Sequence, residues 1–373
     1  MEPDRPARLR AVMTRAINFN AGPATLPSEA IEAAHEELLD FEGTGMSILE
    51  HSHRGKAYAR VHEETKALFH ELLDIPSNYR LLFMQGGASA QFALVPMNLL
   101  GGGSADYVDT GTWATKAFKE AKIVGKARLA GSGKVDGQYT RVPTQAELDL
   151  DPNAAYLHVC SNNTIMGTQT HEYPDAGRVP LVCDMSSDFL WRPIDVSRFG
   201  LIYAGAQKNI GPAGITVVII REDLLARVPE TVPNIFRYST VAEGDSLHNT
   251  IPVFPVYMVR NVLRWMKAQG GTSAMETRNR AKAALLYGMI DESPDFFRSP
   301  VEVASRSVMN PVFRLPTEEL EKAMVAEAEK QRIVGIKGHR SVGGIRVSMY
   351  NAAPLAWVET FVDFAREFQR THG

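Results

Sequence analysis

Cysteine is nearly missing from this chain: Cys160 and Cys183 are the only two in 373 residues. Both lie in apolar runs and neither has metal-ligand spacing. That excludes a disulfide framework and a cysteine-based zinc site, and it fits reduced, buried thiols in a cytoplasmic protein. A second absence is a long apolar run. No stretch approaches the ~20 residues that a membrane-spanning helix needs. Charge of one sign is missing too: the net charge is −3, so there is no basic field to suggest nucleic acid. Internal repeats and low-complexity segments are also lacking. The first fifteen residues carry Arg5, Arg8, Arg10 and Arg15 but no apolar segment, so they do not read as a secretory signal. We expect residues 1–16 to be a loose extension, with Met13 an alternative start.

What is present is an ordinary globular composition, 45% hydrophobic and 22% charged, long enough for roughly two to three domains. Ser28 reads as an N-cap, with Ile31, Ala34, Leu38 and Phe41 at helical spacing behind it. A helix is expected from about residue 57 to 73. Strands are expected at 80–84, 107–110, 155–160, 180–183, 201–203 and 215–220, and helices fall between several of them. The stretch 129–137 reads as a Gly-rich loop and 237–255 as irregular. A long helix over 256–269 stops at Gly270-Gly271, where the main domain boundary is placed. Beyond it, 301–315 reads as strands and 317–331 as a helix. From Ile345 apolar and polar residues alternate, so Arg346 faces away from Ile345 and Val347. The last helix shows an amphipathic face. Strands alternating with helices argue for a mostly parallel, doubly wound α/β sheet, with ligands gathered at strand carboxyl ends. The second half packs a smaller sheet.

Chemistry-bearing groups fall at those ends. Lys208 lies in Ala206-Gln207-Lys208-Asn209-Ile210-Gly211-Pro212, between two apolar segments. Desolvation there favours the neutral amine, which attacks carbonyls; the alternative is a loop lysine reaching solvent. Asp184 ends an apolar strand and is either a functional anion or an N-cap. Gln85-Gly86-Gly87-Ala88-Ser89 joins a strand to a helix, a cup of free N–H groups for an anion. It lacks the Gly-Lys-Ser/Thr ending of a nucleotide loop. Trp113, just past Gly111, lies over a ring-shaped ligand or belongs to the core. The loop Ser161 to Gln169, with Asn162, Asn163 and Thr164, either orients a ligand or satisfies backbone groups. His51, His53, Arg54 and Lys56 crowd one loop, as an anion-binding edge or as a solvated cluster. One amine, one strand-tip acid, one ring cover, one phosphate cup and several separated arginines form the set that pyridoxal phosphate uses.

The residues also carry a resemblance. Phe19 to Ala24, Ser52-His53-Arg54, Gln85 to Phe92, Tyr203 to Gly214 and Gly338 to Arg346 are similar to stretches of the class V aminotransferases of fold type I, in particular their phosphoserine-forming branch. The likeness spans nearly everything after Ile17. It implies a large pyridoxal-phosphate domain over residues 28–270, with a mostly parallel mixed sheet flanked by helices. A smaller α+β domain would cover 271–373, with residues 17–27 packed on it. Lys208 would bind the cofactor's aldehyde and move the proton at the substrate's α-carbon. Asp184 would pair with the pyridine nitrogen, Trp113 stack on the ring, and Thr164 contact the ring hydroxyl. Ala88, Ser89 and Gln207 would hold the phosphate. Asn249 and Thr250 would reach it from a partner subunit, which implies a homodimer. Arg346 would grip the α-carboxylate, and His53, Arg54, His339 and Arg340 the distal acid group. Some members have Arg where this chain has Ser89, which changes the anion geometry and not the reaction.

The implied reaction passes the amino group of L-glutamate to 3-phosphohydroxypyruvate, giving O-phospho-L-serine and 2-oxoglutarate, in serine synthesis. Bacterial relatives also act on a phosphorylated four-carbon substrate of pyridoxine synthesis. Two alternatives stand beside it: an alanine–glyoxylate type of class V aminotransferase, and a protein that holds the cofactor without turnover. A cysteine desulfurase is set aside, because no cysteine follows Cys183 to act as nucleophile.

Overall fold

The computed structural model describes residues 15–373; the extension expected over 1–16 therefore lies mostly outside the described residues. At Arg15, where description begins, the guanidinium donates to Leu26 O (3.0 Å) and Ser28 Oγ (2.7 Å).

A seven-stranded sheet organises the chain, in the order Tyr79–Met84, Thr216–Arg221, Leu201–Gly205, Leu181–Asp184, Leu157–Cys160, Ser104–Asp109, Lys126–Ser132. Only Thr216–Arg221 runs against the others. Apart from the edge strand Lys126–Ser132, the strands are largely buried on both faces, as a helix-covered parallel sheet requires. One face packs Leu181, Cys183, Ile202 and Ala204 on the helices Lys56–Leu73 and Val253–Ala268, through Val61, Phe69, Tyr257 and Leu263. The other packs Val182, Leu201 and Tyr203 on Gly87–Leu99 and Thr112–Val124, through Phe92, Val95, Ala117 and Ala121. Register sets Cys183 opposite Val159 and Asp184 opposite Cys160. The two cysteines thus point to opposite faces, and both are free and buried.

A third core joins Leu286 and Ile290 of helix Gly271–Glu292, Met324 of Glu318–Lys330, and Phe361 and Phe368 of Leu355–His372. Phe19 enters this core, and Ile17–Asn18 pairs parallel with Ile333–Val334.

Several expectations need correction. Ser28 is the first residue of helix Ser28–Glu37 and not its cap; Pro27 precedes it, and the buried positions are Ala30 and Ala34. Ile31 and Leu38 are 40% and 37% exposed, and Phe41 falls in a separate short turn. The stretch read as a Gly-rich loop holds the edge strand Lys126–Ser132 and the hairpin Lys134–Val135/Gln138–Tyr139. Gly133 marks a close approach: a Cβ there would lie 1.9 Å from Arg141 O. The segment read as irregular contains the helix Tyr238–Glu243. Within 301–315 only Val312–Phe313 is a strand. The helix Gly271–Glu292 escaped the sequence reading because its inward face mixes Thr272, Asn279 and Lys282 with Met275, Leu286 and Ile290, which hides the apolar stripe.

Candidate active site

Asp184 ends its strand on the same face as Val182 and is 4% exposed. Its Oδ1 accepts from Ser186 N (2.9 Å) and Ser186 Oγ (2.6 Å). Burial pushes its carboxyl above the ordinary value, while the Ser186 bonds and the Lys208 charge oppose that. Next to it in the sheet, Leu201–Gly205 turns at Ala206 into the Lys208 loop. Gly211 N and Ile210 N both donate to Ala206 O, so the turn is tightly wound. Gly22 closes over it: a Cβ there, at φ +147°, would press on Lys208 Cγ at 3.3 Å. Ala24 N also donates to Gln207 O (3.0 Å).

Lys208 is half-buried. Its Nζ donates to Thr164 Oγ1 (2.6 Å) and stands 5.3 Å from the centroid of the Trp113 ring. Desolvation pushes its ammonium below the ordinary range, Arg346 adds to that, and Asp184 opposes it. Trp113 stands in the first turn of its helix beside Gly111, where a Cβ would meet Asn163 Oδ1 at 2.5 Å. Glycine there lets the Trp113 turn abut the Thr164 loop. Arg346 comes from the third core's short strand Ile345–Arg346 and reaches Thr164 O with one guanidinium nitrogen (3.5 Å). Burial lowers its pKa. Four expected residues from four separate segments, Thr164, Lys208, Trp113 and Arg346, thus meet at the tip of the sheet beside Asp184.

Two buried donors there, Trp113 Nε1 and Arg346 Nε, have no hydrogen-bond partner. A closed core satisfies such atoms, and a ligand cleft keeps them open. Across the cleft the helix Gly87–Leu99 starts at Gly87 after the cap Gly86, the two at φ +65° and +92°. Ala88 and Ser89 lie in its first turn, where backbone N–H groups have no intrahelical acceptor. Gln207 flanks Lys208. The residues present fit pyridoxal phosphate: a desolvated amine beside a flat ring, a buried acid at the strand tip, and an N–H cup.

His339 is half-buried and Arg340 exposed, on the loop Gly338–Gly344. His339 is pushed below its ordinary pKa by desolvation, then by the charges of Arg346, Arg340 and Lys116, which places it on the Arg346 side. His53 and Arg54 occupy the loop before helix Lys56–Leu73. Among the described residues no hydrogen bond or ion pair joins their side chains to Lys208, Asp184 or Arg346, and His53 Nε2 is buried without a partner. Asn249 and Thr250 also stand apart. They follow the helix Tyr238–Glu243, and Thr250 O accepts from Gln85 Nε2 (3.0 Å). Asn249 lines an apolar cavity of about 470 Å³ with Met84, Gly86, Met97 and Phe236.

A buried polar network beside the site went unnoticed in the sequence, although its Ser161–Gln169 loop was singled out. Asp188 is 3% exposed; it accepts from Ser161 Oγ and from Gln169 Nε2 (3.1 Å), and burial pushes its carboxyl up to about 6. Asn162 Nδ2 donates to Ser187 Oγ and to Asn310 Oδ1, both at 2.7 Å. Tyr350 OH donates to Ala21 O (2.7 Å). These polar groups join the Thr164 loop to the third core and to the N-terminal segment. The spacing Asp184-Met-Ser-Ser-Asp188 was the available signal for a second buried acid.

This fold and this site define a class V aminotransferase, and the chain belongs to that family: the family model "Aminotransferase class-V" matches residues 16–361. Within the family the likeness is to phosphoserine aminotransferases. The one from Halalkalibacterium halodurans is 52% identical over 361 residues, covering 96% of this chain and 100% of the relative. The structure of the Bacillus circulans subsp. alkalophilus phosphoserine aminotransferase superposes with a TM-score of 0.94 at 52% identity, over 96% of this chain and 99% of that one. The pyridoxal-phosphate-bound phosphoserine aminotransferase of Trichomonas vaginalis superposes with a TM-score of 0.90 at 37% identity, over 94% and 100%. The chain is a pyridoxal-phosphate-dependent aminotransferase. Among the described residues no helix is long and apolar enough to cross a membrane.

Proposed function

We propose that the chain transfers the amino group of L-glutamate to 3-phosphohydroxypyruvate, forming O-phospho-L-serine and 2-oxoglutarate in serine biosynthesis. One observation carries the reading: the desolvated Lys208 amine is held on Thr164, beside the Trp113 ring and near Asp184, while Arg346 reaches the carbonyl of the same Thr164. Bound there, pyridoxal phosphate supplies an aldehyde for the amine and a ring that withdraws electrons from the substrate's α-carbon. Lys208, with its lowered pKa, takes and returns the α-proton. Asp184 is the anion that faces the pyridine nitrogen. Trp113 covers one ring face, and Thr164 holds the ring hydroxyl. Ala88, Ser89 and Gln207 bind the phosphate. Arg346 orients the α-carboxylate through a planar fork. His53, Arg54, His339 and Arg340 take the distal carboxylate or phosphate; several cations gathered without an acid are costly unless an anionic substrate meets them.

Residues 28–270 are assigned to the cofactor domain, 271–373 to the small domain, and 17–27 to a segment bound to the latter's core, in keeping with Phe19 among its packed residues. The working form is a homodimer in which Asn249 and Thr250 contact the partner's cofactor phosphate. Exposed apolar side chains support this, Leu39 at 86% and Leu49 at 58%, with Ile235 and Phe236 next to the Asn249 loop. The two free cysteines agree with a cytoplasmic location.

The test is an absorbance spectrum of the purified protein, then titration with L-glutamate, then steady-state rates with phosphohydroxypyruvate against glyoxylate. The lysine-bound chromophore is expected, with loss of its visible band on glutamate addition. A preference for glyoxylate defeats the substrate assignment, and protein that stays colourless with added cofactor defeats the chemistry.

A further inference from the structure

We propose that Glu321, acting through Arg314, is a positioning residue for the distal-anion side of the cleft: it fixes the Gly338–Gly344 loop that presents His339 and Arg340. The proposal rests on the substrate reading above.

Glu321 lies in the first turn of helix Glu318–Lys330, and its side chain is only 8% exposed. Its Oε1 accepts from Arg314 Nε (2.6 Å) and more weakly from Leu315 N (3.4 Å). Its Oε2 accepts from Gly344 N (2.9 Å). Arg314 extends the grip, donating through another guanidinium nitrogen to Val342 O (2.8 Å). One buried carboxylate therefore holds the loop's C-terminal end directly and its crown through the guanidinium.

The loop leaves no slack. Gly338 N donates to Gly344 O (2.8 Å), and Val342 N and Gly343 N donate to His339 O (3.0 and 2.9 Å). A Cβ on Gly338 would lie 1.9 Å from Gly343 O, and one on Gly344, at φ +75°, would lie 2.8 Å from Arg314 Cδ and Phe313 O. Inside this pinch Ser341 N donates to His339 Nδ1 (3.3 Å), and the Ser341 hydroxyl lies 2.7 Å from the same atom. Nδ1 is thus an acceptor, which leaves the ring proton of neutral His339 on Nε2. The loop closes a cleft of about 450 Å³ whose lining includes Tyr139, Met166, Arg314, His339 and Arg346. Glu321 also pairs the Arg314 charge, so Arg314 does not compete with Arg346 and Arg340 for an incoming anion.

The experiment compares holoenzyme with Glu321→Gln and Arg314→Lys, which keep side-chain size. Hydrogen exchange at Val342 and Gly344 is measured without substrate; both variants are expected to exchange faster than the native chain. KM for O-phospho-L-serine is expected to rise about tenfold with kcat within about twofold, because ground-state positioning and not chemistry is lost. The half-reaction with L-alanine, which has no distal acid, is expected to stay unchanged. If either single variant does not fold, the double variant Arg314→Gln/Glu321→Gln leaves no unpaired charge and is expected to show the same rise. Unchanged exchange overturns the proposal. So does an equal loss on L-alanine and O-phospho-L-serine, which indicates a merely structural role. A native enzyme that prefers an unphosphorylated acceptor defeats the substrate reading instead, and the exchange comparison still decides the clamp.

Discussion

The Lys208 amine rests on the Thr164 hydroxyl at 2.6 Å, and the same loop residue offers its carbonyl to Arg346. Thr164 is 3% exposed and sits in a loop whose neighbours Ser161, Asn162 and Asn163 are all buried. A rigid polar loop thus sets how far the amine stands from the guanidinium that orients the substrate. Such convergence from distant segments is what near-attack geometry requires.

Replacing the amine should therefore remove both signature and turnover. Lys208→Ala is expected to lose the visible band of lysine-bound cofactor. Its transamination should fall by at least ~10³-fold, since proton transfer and covalent capture disappear together. Stopped-flow half-reactions with L-glutamate read both. Native-like rates in this variant would refute the assignment of Lys208.

The arginines should divide by substrate group. Arg346→Ala is expected to raise KM for L-glutamate and for phosphohydroxypyruvate alike, on the order of 10- to 100-fold, the worth of one charge-assisted pair. Arg54→Ala should act only on substrates with a distal acid. Comparing L-glutamate with L-alanine in both variants checks this. A matching Arg54→Ala effect on L-alanine contradicts the division.

How far the sequence carried the argument depends on how local each signal was. The strand ending at Asp184, the Gly-rich entry to Gly87–Leu99 and the Lys208 turn were legible because each is a short run whose pattern is complete in itself. The helix Gly271–Glu292 was not, because Asn279 and Lys282 face inward and find partners far along the chain: Asn351 for the first, the carbonyls of Met349, Tyr350 and Ala353 for the second. Asp188 and Glu321 share that difficulty. A buried carboxylate looks like a surface one until its donors are in place. His53 and Arg54 stood out as part of a basic loop, and Asn249 and Thr250 by resemblance alone; among the described residues no hydrogen bond joins their side chains to Lys208, so neither signal placed them relative to the amine.

Asp188 gives a test of the buried polar seam through pH. Its carboxyl holds its proton up to about 6, against 3.8 for the ordinary group. Between those values the folded state binds more protons than the unfolded state, so this group's contribution falls as pH rises from about 4 to 6, by roughly 3 kcal/mol at most. Asp188→Asn cannot titrate and should flatten that part of the stability curve. Urea unfolding at several pH values measures it. An identical slope in native and variant protein would show that Asp188 titrates normally.

Lys282 provides the opposite sign. It is 1% exposed, and its Nζ donates to Met349 O (2.9 Å), Tyr350 O (2.8 Å) and Ala353 O (3.0 Å). Burial pushes its ammonium down to about 7 from 10.5. Between pH 7 and 10.5 the unfolded chain binds the extra proton, so this group's contribution grows as pH rises through that window and is lost as pH falls through 7. The three carbonyls flank Asn351, whose N donates to Asn209 Oδ1 (2.9 Å) next to Lys208. Lys282→Met keeps the bulk but leaves the carbonyls unpaired, so it should cost roughly 2–4 kcal/mol near pH 6, where the ammonium has one N–H for each carbonyl, and abolish the rise in stability from there to pH 10. Denaturant midpoints across that range decide the matter, because a variant as stable as the native chain, or one that retains the rise, would mean that the amine does not hold this junction.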